Sequence, residues 1–452
     1  MENKKGFVST ALVYSFLVIY LFLMVSIINM YLSKTTYLEA LDDQVAKDIG
    51  ITKENRSTLM SLIIENNVAL ETNLIDFRNV SNNSSKNGNG LFYVDETSLP
   101  QHSSKITDEN NDGYGKKIYF FRGSVNNNNV LFGYQFKRDA NGKIDKSNMK
   151  QMCWKILRTN ENGSIRMIYN GVYDGAKCSG AEANINSFVN TITYKEGSET
   201  KTLSLNGKYN LSNNDNAYVG YTYSGTGKSD FNSTHHTSQV DSAVKKAIDE
   251  FYLKYTNLYM YPEFSYEFSD NSGKMVTRDK EISDALYCND RHVDCYSVAT
   301  EGDERKIVCG FGNVTTNYGY SKDSSSFEMN TYICNSFYDK YMLASETYGG
   351  NDNETNLKYA MALPTASELV MAGASFDDDN KDYFLNTNQS FWTMSASSFD
   401  GVAKVYISNS NGKIVESDVA TANIGIRPVI SVREDIIVNR GSGLANEPYE
   451  FN

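Results

Sequence analysis

The stretch WKILRTNENGSIRMIY, residues 154–169, contains two runs in which apolar and polar residues alternate. Residues 154–159 form the first run, residues 164–169 form the second, and the four residues between them are rich in Asn and Gly. Two alternating runs around a short Asn/Gly loop are a strong signal for a β-hairpin. The stretch therefore predicts two antiparallel strands joined by a tight turn.

Further strands and two helices are predicted on both sides of this hairpin. The β-rich runs are residues 117–121, 390–395, 403–408, 413–416 and 426–432. An apolar stripe from Val240 to Tyr255 predicts a helix, with Ser238 as a variant of the capping box. Thr365 predicts the start of a shorter helix, because its hydroxyl can cap the helix while Glu368 reaches back. The predicted class is α+β with a mainly antiparallel sheet.

Composition and charge exclude several classes of protein. The 452 residues include 43 Lys+Arg and 55 Asp+Glu, so the formal net charge is −12. Nucleic-acid binding needs a basic face, which this balance argues against. The 32 Tyr, 22 Phe and 2 Trp supply surface for a core, which argues against overall disorder. Only 5 Pro and 31 Gly exclude collagen-like and Pro-rich chains.

Residues 6–33 carry no charged side chain. A bilayer core of about 30 Å needs about 20 apolar residues in a helix, so this run can span a membrane. A cleavable secretory signal is the alternative, but its apolar part is usually about 7–15 residues and ends at a small-residue cleavage site. We therefore predict an uncleaved anchor helix over residues 1–33. Lys4 and Lys5 precede the run and acidic residues follow it, which predicts a cytoplasmic N-terminus and an extracellular C-terminal part.

The pattern after the anchor predicts three segments. Apolar residues at helical spacing predict an amphipathic stalk over residues 34–78. The polar, Asn/Ser/Gly-rich residues 79–91 have the composition of a flexible linker. Residues 92–452 are then an extracellular α+β head with two or more helices.

The junction KKGF, residues 4–7, followed by an apolar helix resembles the type III signal of type IV pilins and pseudopilins. That resemblance implies cleavage between Gly6 and Phe7 by a prepilin peptidase and assembly with other pilin-like subunits. In those families the fifth mature residue is usually Glu, whereas this chain has Ala11.

The head resembles an uncharacterised bacterial surface domain across about residues 112–450. The segments that carry this likeness include YFFRG (119–123), WKILR (154–158), YVGY (218–221), LPTASE (363–368), FWTMS (391–395) and GIRPVIS (425–431). The C-terminal part, from the Trp-containing strand to Gly-x-Arg-Pro-Val, also resembles C-type-lectin-like and formylglycine-generating-enzyme-like folds. This resemblance implies that Arg427 locks the terminal strand, and we expect structural roles for Trp154 and Trp392.

Six cysteines follow the predicted anchor, where oxidation is permitted. They are candidates for disulfides and allow 15 full pairings: Cys153, Cys178, Cys288, Cys295, Cys309 and Cys334. The predicted hairpin returns the chain near its start, which favours a bond between Cys153 and Cys178. The other four stay unassigned, and buried free thiols are the alternative. Zinc is not predicted, because Cys288, His292 and Cys295 lack a CxxC spacing and a fourth ligand.

Candidate cation and catalytic sites are weak. Asp108, Asn110 and Asp112 copy the first half of a calcium loop, but Tyr119 occupies the twelfth position, where a bidentate Glu is required. A polar turn is the alternative there. Residues 377–380, DDDN, are typical of a solvated loop. The chain contains four His and lacks the GxSxG, HExxH, GxGxxG and P-loop strings, so we predict neither a catalytic site nor a cofactor.

The function predicted from these patterns is that of a membrane-anchored bacterial surface protein, pilin-like or adhesin-like. Its head would bind an extracellular glycan or protein, since Tyr and Asn are residues that recognition surfaces favour. An enzyme that acts on cell-envelope glycans and a purely structural envelope protein are the alternatives.

Overall fold

A computed structural model describes residues 58–71, 88–94, 118–138, 144–160, 163–187, 189–196, 198–227, 240–253, 281–288, 292–299, 305–315, 340–343 and 356–451. For residues 292–299 and 305–315 this description is restricted to the backbone of two strands. The predicted anchor with Gly6 and Phe7, the calcium candidates Asp108, Asn110 and Asp112, and Cys334 lie outside the described residues. None of the described helices combines the length and the hydropathy needed to cross a bilayer.

The predicted hairpin is present and is longer than the sequence indicates. Strand β5 (Ile144–Thr159) pairs antiparallel with β6 (Ile165–Val172), and Trp154 lies opposite Tyr169. Strand β5 also pairs antiparallel with β3 (Ile118–Arg122) and β4 (Asn129–Arg138). The hairpin therefore lies inside the largest sheet and not at its edge.

Ten described strands form this sheet. The other strands in it are β1 (Ala69–Glu71), β2 (Gly90–Val94), β16 (Met361–Ala362), β20 (Val429–Val432), β21 (Val438–Arg440) and β22 (Tyr449–Phe451). Their order is β1-β2-β3-β5-β4-β22-β21, and β6, β20 and β16 continue from β5. Two pairs are parallel, β1 with β2 and β22 with β4, and both join segments that are distant in sequence.

Smaller sheets complete the strand content of the described residues. They are formed by β7 (Thr191–Glu196) and β8 (Glu199–Ser204); β9 (Thr222–Tyr223) and β10 (Val240–Asp241); β11 (Tyr287–Cys288), β14 (Lys340–Leu343) and β15 (Asn356–Leu357); β12 (His292–Ala299) and β13 (Arg305–Thr315); and β17 (Phe391–Phe399), β18 (Ala403–Ser408) and β19 (Ile414–Asp418). The class is therefore mixed α and β, rich in strands, with mainly antiparallel sheets.

Three α-helices are described: α1 (Leu59–Glu65), α2 (Ala243–Phe251) and α3 (Ala366–Ala372). The capping box of α3 is the predicted one, with Thr365 as the cap and Glu368 reaching back. The predicted cap of α2 is wrong. Ser242, and not Ser238, accepts the N–H of Lys245, because the two residues before Ser242 form strand β10.

Both tryptophans are buried in one continuous hydrophobic core. The indole of Trp154 donates a hydrogen bond to the carbonyl of Phe132 at 2.8 Å, and its ring packs edge-on against Tyr169. The indole of Trp392 donates to the carbonyl of Gly207 at 2.7 Å and packs against Tyr209. Since a buried indole N–H needs an acceptor, each contact satisfies the ring and orients it. These are the structural roles expected for the two residues.

Helix α1 and strand β1 belong to this fold. Leu59 and Ile63 are buried in the core, and the N–H of Leu59 donates to the carbonyl of Ile436 at 2.9 Å. One compact unit runs from Thr58 to the C-terminus. Residues 58–71, which fall within the predicted stalk of residues 34–78, therefore pack with residues of the predicted head, and the predicted segment bounds stay a prediction. The apolar side chains of Leu59 and Ile63 are buried, so the amphipathic pattern of α1 marks a packed helix.

This packing predicts a measurable dependence on α1. In a fragment of residues 58–452, Leu59→Ala is expected to cost about 2–5 kcal/mol of unfolding free energy, because it opens a cavity in the core. Val68→Ala is the matched control, since Val68 is 85% exposed. Chemical denaturation followed by circular dichroism measures both. Equal midpoints for Leu59→Ala and Val68→Ala would show that α1 is not part of the core.

Candidate functional site

A disulfide joins Cys153 on β5 to Cys178, which follows β6, with 5.8 Å between their Cα atoms. This is the pair that the sequence favours. Leu131 and Tyr173 pack around it, and the N–H of Cys178 donates to the carbonyl of Ala445 at 2.7 Å. The disulfide and this hydrogen bond together link the central hairpin to a turn near the C-terminus. A disulfide of this kind is typical of proteins in an oxidising compartment.

Arg427 is completely buried, and its guanidinium makes three hydrogen bonds. It donates to the carbonyl of Tyr169 at 3.0 Å, to the carbonyl of Leu385 at 2.6 Å and to the side chain of Asn170 at 3.2 Å. The group also lies 4.7 Å from the ring centre of Phe391. Burial lowers the pKa of Arg427 to about 10. These contacts tie the segment before β20 to β6 and β17. The likeness to C-type-lectin-like folds stays a prediction.

A second buried cluster joins two arginines of the hairpin to one carboxylate. Glu368 Oε1 accepts from Arg158 Nε at 3.0 Å and from Arg166 Nη1 at 2.5 Å, while Oε2 accepts the N–H of Thr365 at 3.1 Å. Arg166 also lies 4.4 Å from the ring centre of Tyr287. Burial alone would raise the pKa of Glu368, but Arg166 and Arg158 outweigh it and hold that pKa at about 2.

The arginine–glutamate cluster has a structural role. The side chains of Arg158, Arg166 and Glu368 are at most 1% exposed, so a ligand cannot contact them in this conformation. Together they hold the N-terminus of α3 against the β5–β6 hairpin. Removing one partner of a buried ion pair leaves an uncompensated charge, which typically costs about 3–5 kcal/mol.

Glu368→Gln is therefore expected to lower the unfolding free energy by about 3–5 kcal/mol, as measured by chemical denaturation. Glu182→Gln is the matched control, because Glu182 is exposed and its change should stay within about 0.5 kcal/mol.

The same pair of proteins tests the pH dependence. A carboxyl group whose pKa is lowered on folding stabilises the protein above its ordinary pKa and loses that contribution as the pH falls through the folded value. The wild-type protein should lose stability between about pH 4.5 and pH 2, and Glu368→Gln should lose less over that interval. Identical pH profiles would contradict the assigned role of Glu368.

A third charged cluster lies on α2 and is partly exposed. We call it the Lys245 site and define it by Asp241, Lys245, Asp249 and Lys358. Lys245 Nζ lies 2.7 Å from Asp249 Oδ2 and 3.6 Å from Asp241 Oδ1, and Lys358 Nζ lies 3.8 Å from Asp241 Oδ2. Exposure increases outward: the side chain of Lys245 is 1% exposed, those of Asp249 and Asp241 are 11% and 18%, and that of Lys358 is 70%.

Tyrosines surround the Lys245 site. The ring of Tyr252, the C-cap residue of α2, stacks on the half-exposed ring of Tyr359, with 4.9 Å between centroids and 20° between planes. Tyr221 is buried and packs edge-on against Tyr341 at 5.8 Å. Tyr359 and Tyr221 both lie close enough to Asp249 for its charge to raise the pKa of each phenol, in addition to the larger effect of burial. The site thus combines an ionic centre with aromatic walls.

Two buried polar atoms at the Lys245 site have no hydrogen-bond partner among the described residues, Asp249 Oδ1 and Tyr221 Oη. Burial raises the pKa of Asp249, and the neighbouring Lys245 opposes that shift only in part. Buried polar atoms are normally paired, so these two are exceptions. The groups that a ligand can reach are the carboxylate of Asp241 and the ammonium of Lys358, whose side chains are 18% and 70% exposed. Chemically, the site can accept hydrogen bonds from hydroxyl or amide groups and can offer an ammonium group in return.

The Lys245 site was not predicted, although the sequence contains a signal for it. Asp241, Lys245 and Asp249 are spaced four residues apart, a spacing typical of one helix face. Lys245 and Asp249 share such a face on α2, and Asp241 lies on β10 just before the helix. Lys358 and Tyr359 follow from a distant segment, and their approach to α2 depends on the tertiary fold.

The acidic run 377–380 is the charged loop that was predicted. Asp377, Asp378 and Asp379 are exposed, and the backbone N–H groups of Asp377 and Asp378 donate to Ser375 Oγ. In the part of the chain that the structure describes, no group of three or more His, Cys, Asp or Glu side chains could hold a metal ion. The predicted absence of a cofactor stays a prediction.

Comparison of the chain with protein-family models, with curated proteins and with solved structures found no match.

Proposed function

We propose that the chain is a membrane-anchored bacterial surface protein, pilin-like or adhesin-like, whose head binds an extracellular glycan at the Lys245 site. The proposed location is the cell membrane, with the N-terminus in the cytoplasm and the head outside. Two observations support this location: residues 6–33 carry no charge, and the head contains the disulfide between Cys153 and Cys178.

The observation that carries the binding proposal is the combination of carboxylates, ammonium groups and an accessible aromatic ring at the Lys245 site. Hydroxyl groups of a sugar can donate to Asp241, whose side chain is 18% exposed, and they can accept from Lys358, which is 70% exposed. Tyr359 is half-exposed and held by its stack on Tyr252, so its ring is oriented in advance. A rigid tyrosine with polar neighbours supplies contact area at a low cost in conformational entropy.

Two finer features belong to this proposal. The first is a C-type-lectin-like fold, supported by the way Arg427 ties the C-terminal segment to β6 and β17. The second is processing between Gly6 and Phe7 by a prepilin peptidase, supported by the basic pair that precedes them. Mass spectrometry of the mature N-terminus tests the second feature, because processing would leave Phe7 as the first residue and an intact Met1 would contradict it.

An enzyme that acts on cell-envelope glycans is the second candidate, and Asp249 is the observation that favours it. Burial raises the pKa of this carboxyl group, and a carboxylic acid with a raised pKa can act as a general acid. Lys245 and Asp241 lie within the same cluster. This candidate predicts turnover of wall fragments that is lost in Asp249→Asn, whereas the binding proposal predicts no turnover by either protein.

The binding proposal is tested on a glycan array with the full-length protein in detergent, followed by titration of any glycan that is retained. We expect Tyr359→Ala to weaken binding about tenfold, which corresponds to about 1.4 kcal/mol from a lost aromatic contact. Tyr173→Ala is the control, because Tyr173 is also half-buried but packs beside the disulfide. Unchanged affinity in Tyr359→Ala, or no retained glycan, would contradict a glycan site at Lys245.

A further inference from the structure

The backbone register of β12 and β13 places two cysteines directly opposite each other. The two strands are antiparallel, and Cys295 on β12 is the direct partner of Cys309 on β13. The next pair along the strands, Tyr296 with Val308, continues the same register, and the pairing extends to Ala299 with Arg305. The pair of Cys295 and Cys309 is therefore the last of five consecutive pairs in one register, and the register shifts between Cys295 and Val293.

This placement satisfies the distance requirement of a disulfide. Residues directly opposite each other in an antiparallel pair have Cα atoms about 4.5 Å or about 5.5 Å apart, depending on the hydrogen-bonding position. Disulfides usually join cysteines whose Cα atoms are about 4.4–6.8 Å apart. Both positions in an antiparallel ladder fall within that range, as does the Cα separation of 5.8 Å between Cys153 and Cys178.

We propose that Cys295 and Cys309 form a cross-strand disulfide that closes the β12–β13 hairpin. The two thiols lose two protons and two electrons as the S–S bond forms, and the disulfide of an extracytoplasmic thiol oxidase accepts them and becomes two thiols. The proposal rests on the proposed function only for the supply of this oxidant, because the register itself is independent of cellular location.

The pairing has a consequence for the remaining cysteines. Four cysteines allow three pairings, and a bond between Cys295 and Cys309 leaves Cys288 for Cys334. Cys288 on β11 is the direct partner of Lys340 on β14, and Cys334 precedes Lys340 by six residues. The bond between Cys295 and Cys309 also removes Cys295 from any zinc site with Cys288 and His292.

Tryptic peptide mapping of the unreduced protein identifies directly whether Cys295 is bonded to Cys309. Cleavage after Lys and Arg places each of the four cysteines in a separate peptide: 281–291, 292–305, 307–322 and 323–340. The full-length protein is purified in detergent from its native membrane, its free thiols are alkylated, and the digest is analysed by mass spectrometry. We expect peptide 292–305 to be linked to peptide 307–322, and the linked species to disappear on reduction.

The bond between Cys153 and Cys178 is the internal control, because its peptides are 151–155 and 178–195. Alkylated Cys295 in protein whose Cys153–Cys178 bond is formed would overturn the proposal, as would a link from peptide 292–305 to peptide 281–291 or 323–340. If all six cysteines are alkylated, the proposed extracellular location is wrong. The pairing is then tested on protein that has been oxidised in vitro with glutathione disulfide. A link between 292–305 and 307–322 under those conditions supports the pairing, and any other link overturns it.

A cysteine variant gives a second measurement. In Cys295→Ser, we expect Cys309 to become the single alkylated cysteine, with the peptides of Cys288 and Cys334 still linked. In Cys288→Ser, we expect Cys334 to be alkylated and the link between 292–305 and 307–322 to persist. Alkylation of Cys334 in Cys295→Ser would instead show that Cys295 pairs with Cys334, and would contradict the proposal.

Discussion

The described fold depends on one buried carboxylate that neutralises part of the charge of two buried guanidinium groups. Glu368 accepts from Arg158 on β5 and Arg166 on β6, and it also caps the helix on which it lies. The charge of a buried arginine is costly unless it is paired, so the hairpin and α3 are stable only when they meet. Arg427 meets the same requirement differently, through carbonyl oxygens, the Asn170 side chain and the ring of Phe391. These polar contacts inside the core thus determine how the hairpin, α3 and the segment before β20 pack together.

The charges of the Lys245 site differ from those of the Glu368 cluster because some of them are accessible to solvent. Lys245 is as buried as the arginines, but its partners Asp241 and Asp249 are partly exposed, and Lys358 is mostly exposed. This gradient allows a ligand to reach one side of the ion pairs while the other side remains anchored on α2. The buried Glu368 cluster and the partly exposed Lys245 site both contain paired carboxylates and cations, and the difference in exposure separates a structural role from the proposed binding role.

Local patterns in the sequence predicted the local parts of the fold. The β5–β6 hairpin, the capping box at Thr365 and the bond between Cys153 and Cys178 each depend on residues close together along the chain, so spacing and turn chemistry were sufficient. The contacts that were not predicted are distant in sequence. Nothing near α1 indicates that its apolar stripe meets residues 436–437. The parallel pairing of β22 with β4 and the approach of Tyr359 to Tyr252 likewise depend on the complete fold.

The proposed function requires that the head lies outside the cell and that the N-terminus stays inside. Protease treatment of intact cells that produce the full-length protein, with an epitope at each terminus, tests this claim most directly. The account predicts rapid loss of the C-terminal epitope and survival of the N-terminal one, with a cytoplasmic marker protein intact. A C-terminal epitope that survives until the membrane is permeabilised would contradict the account.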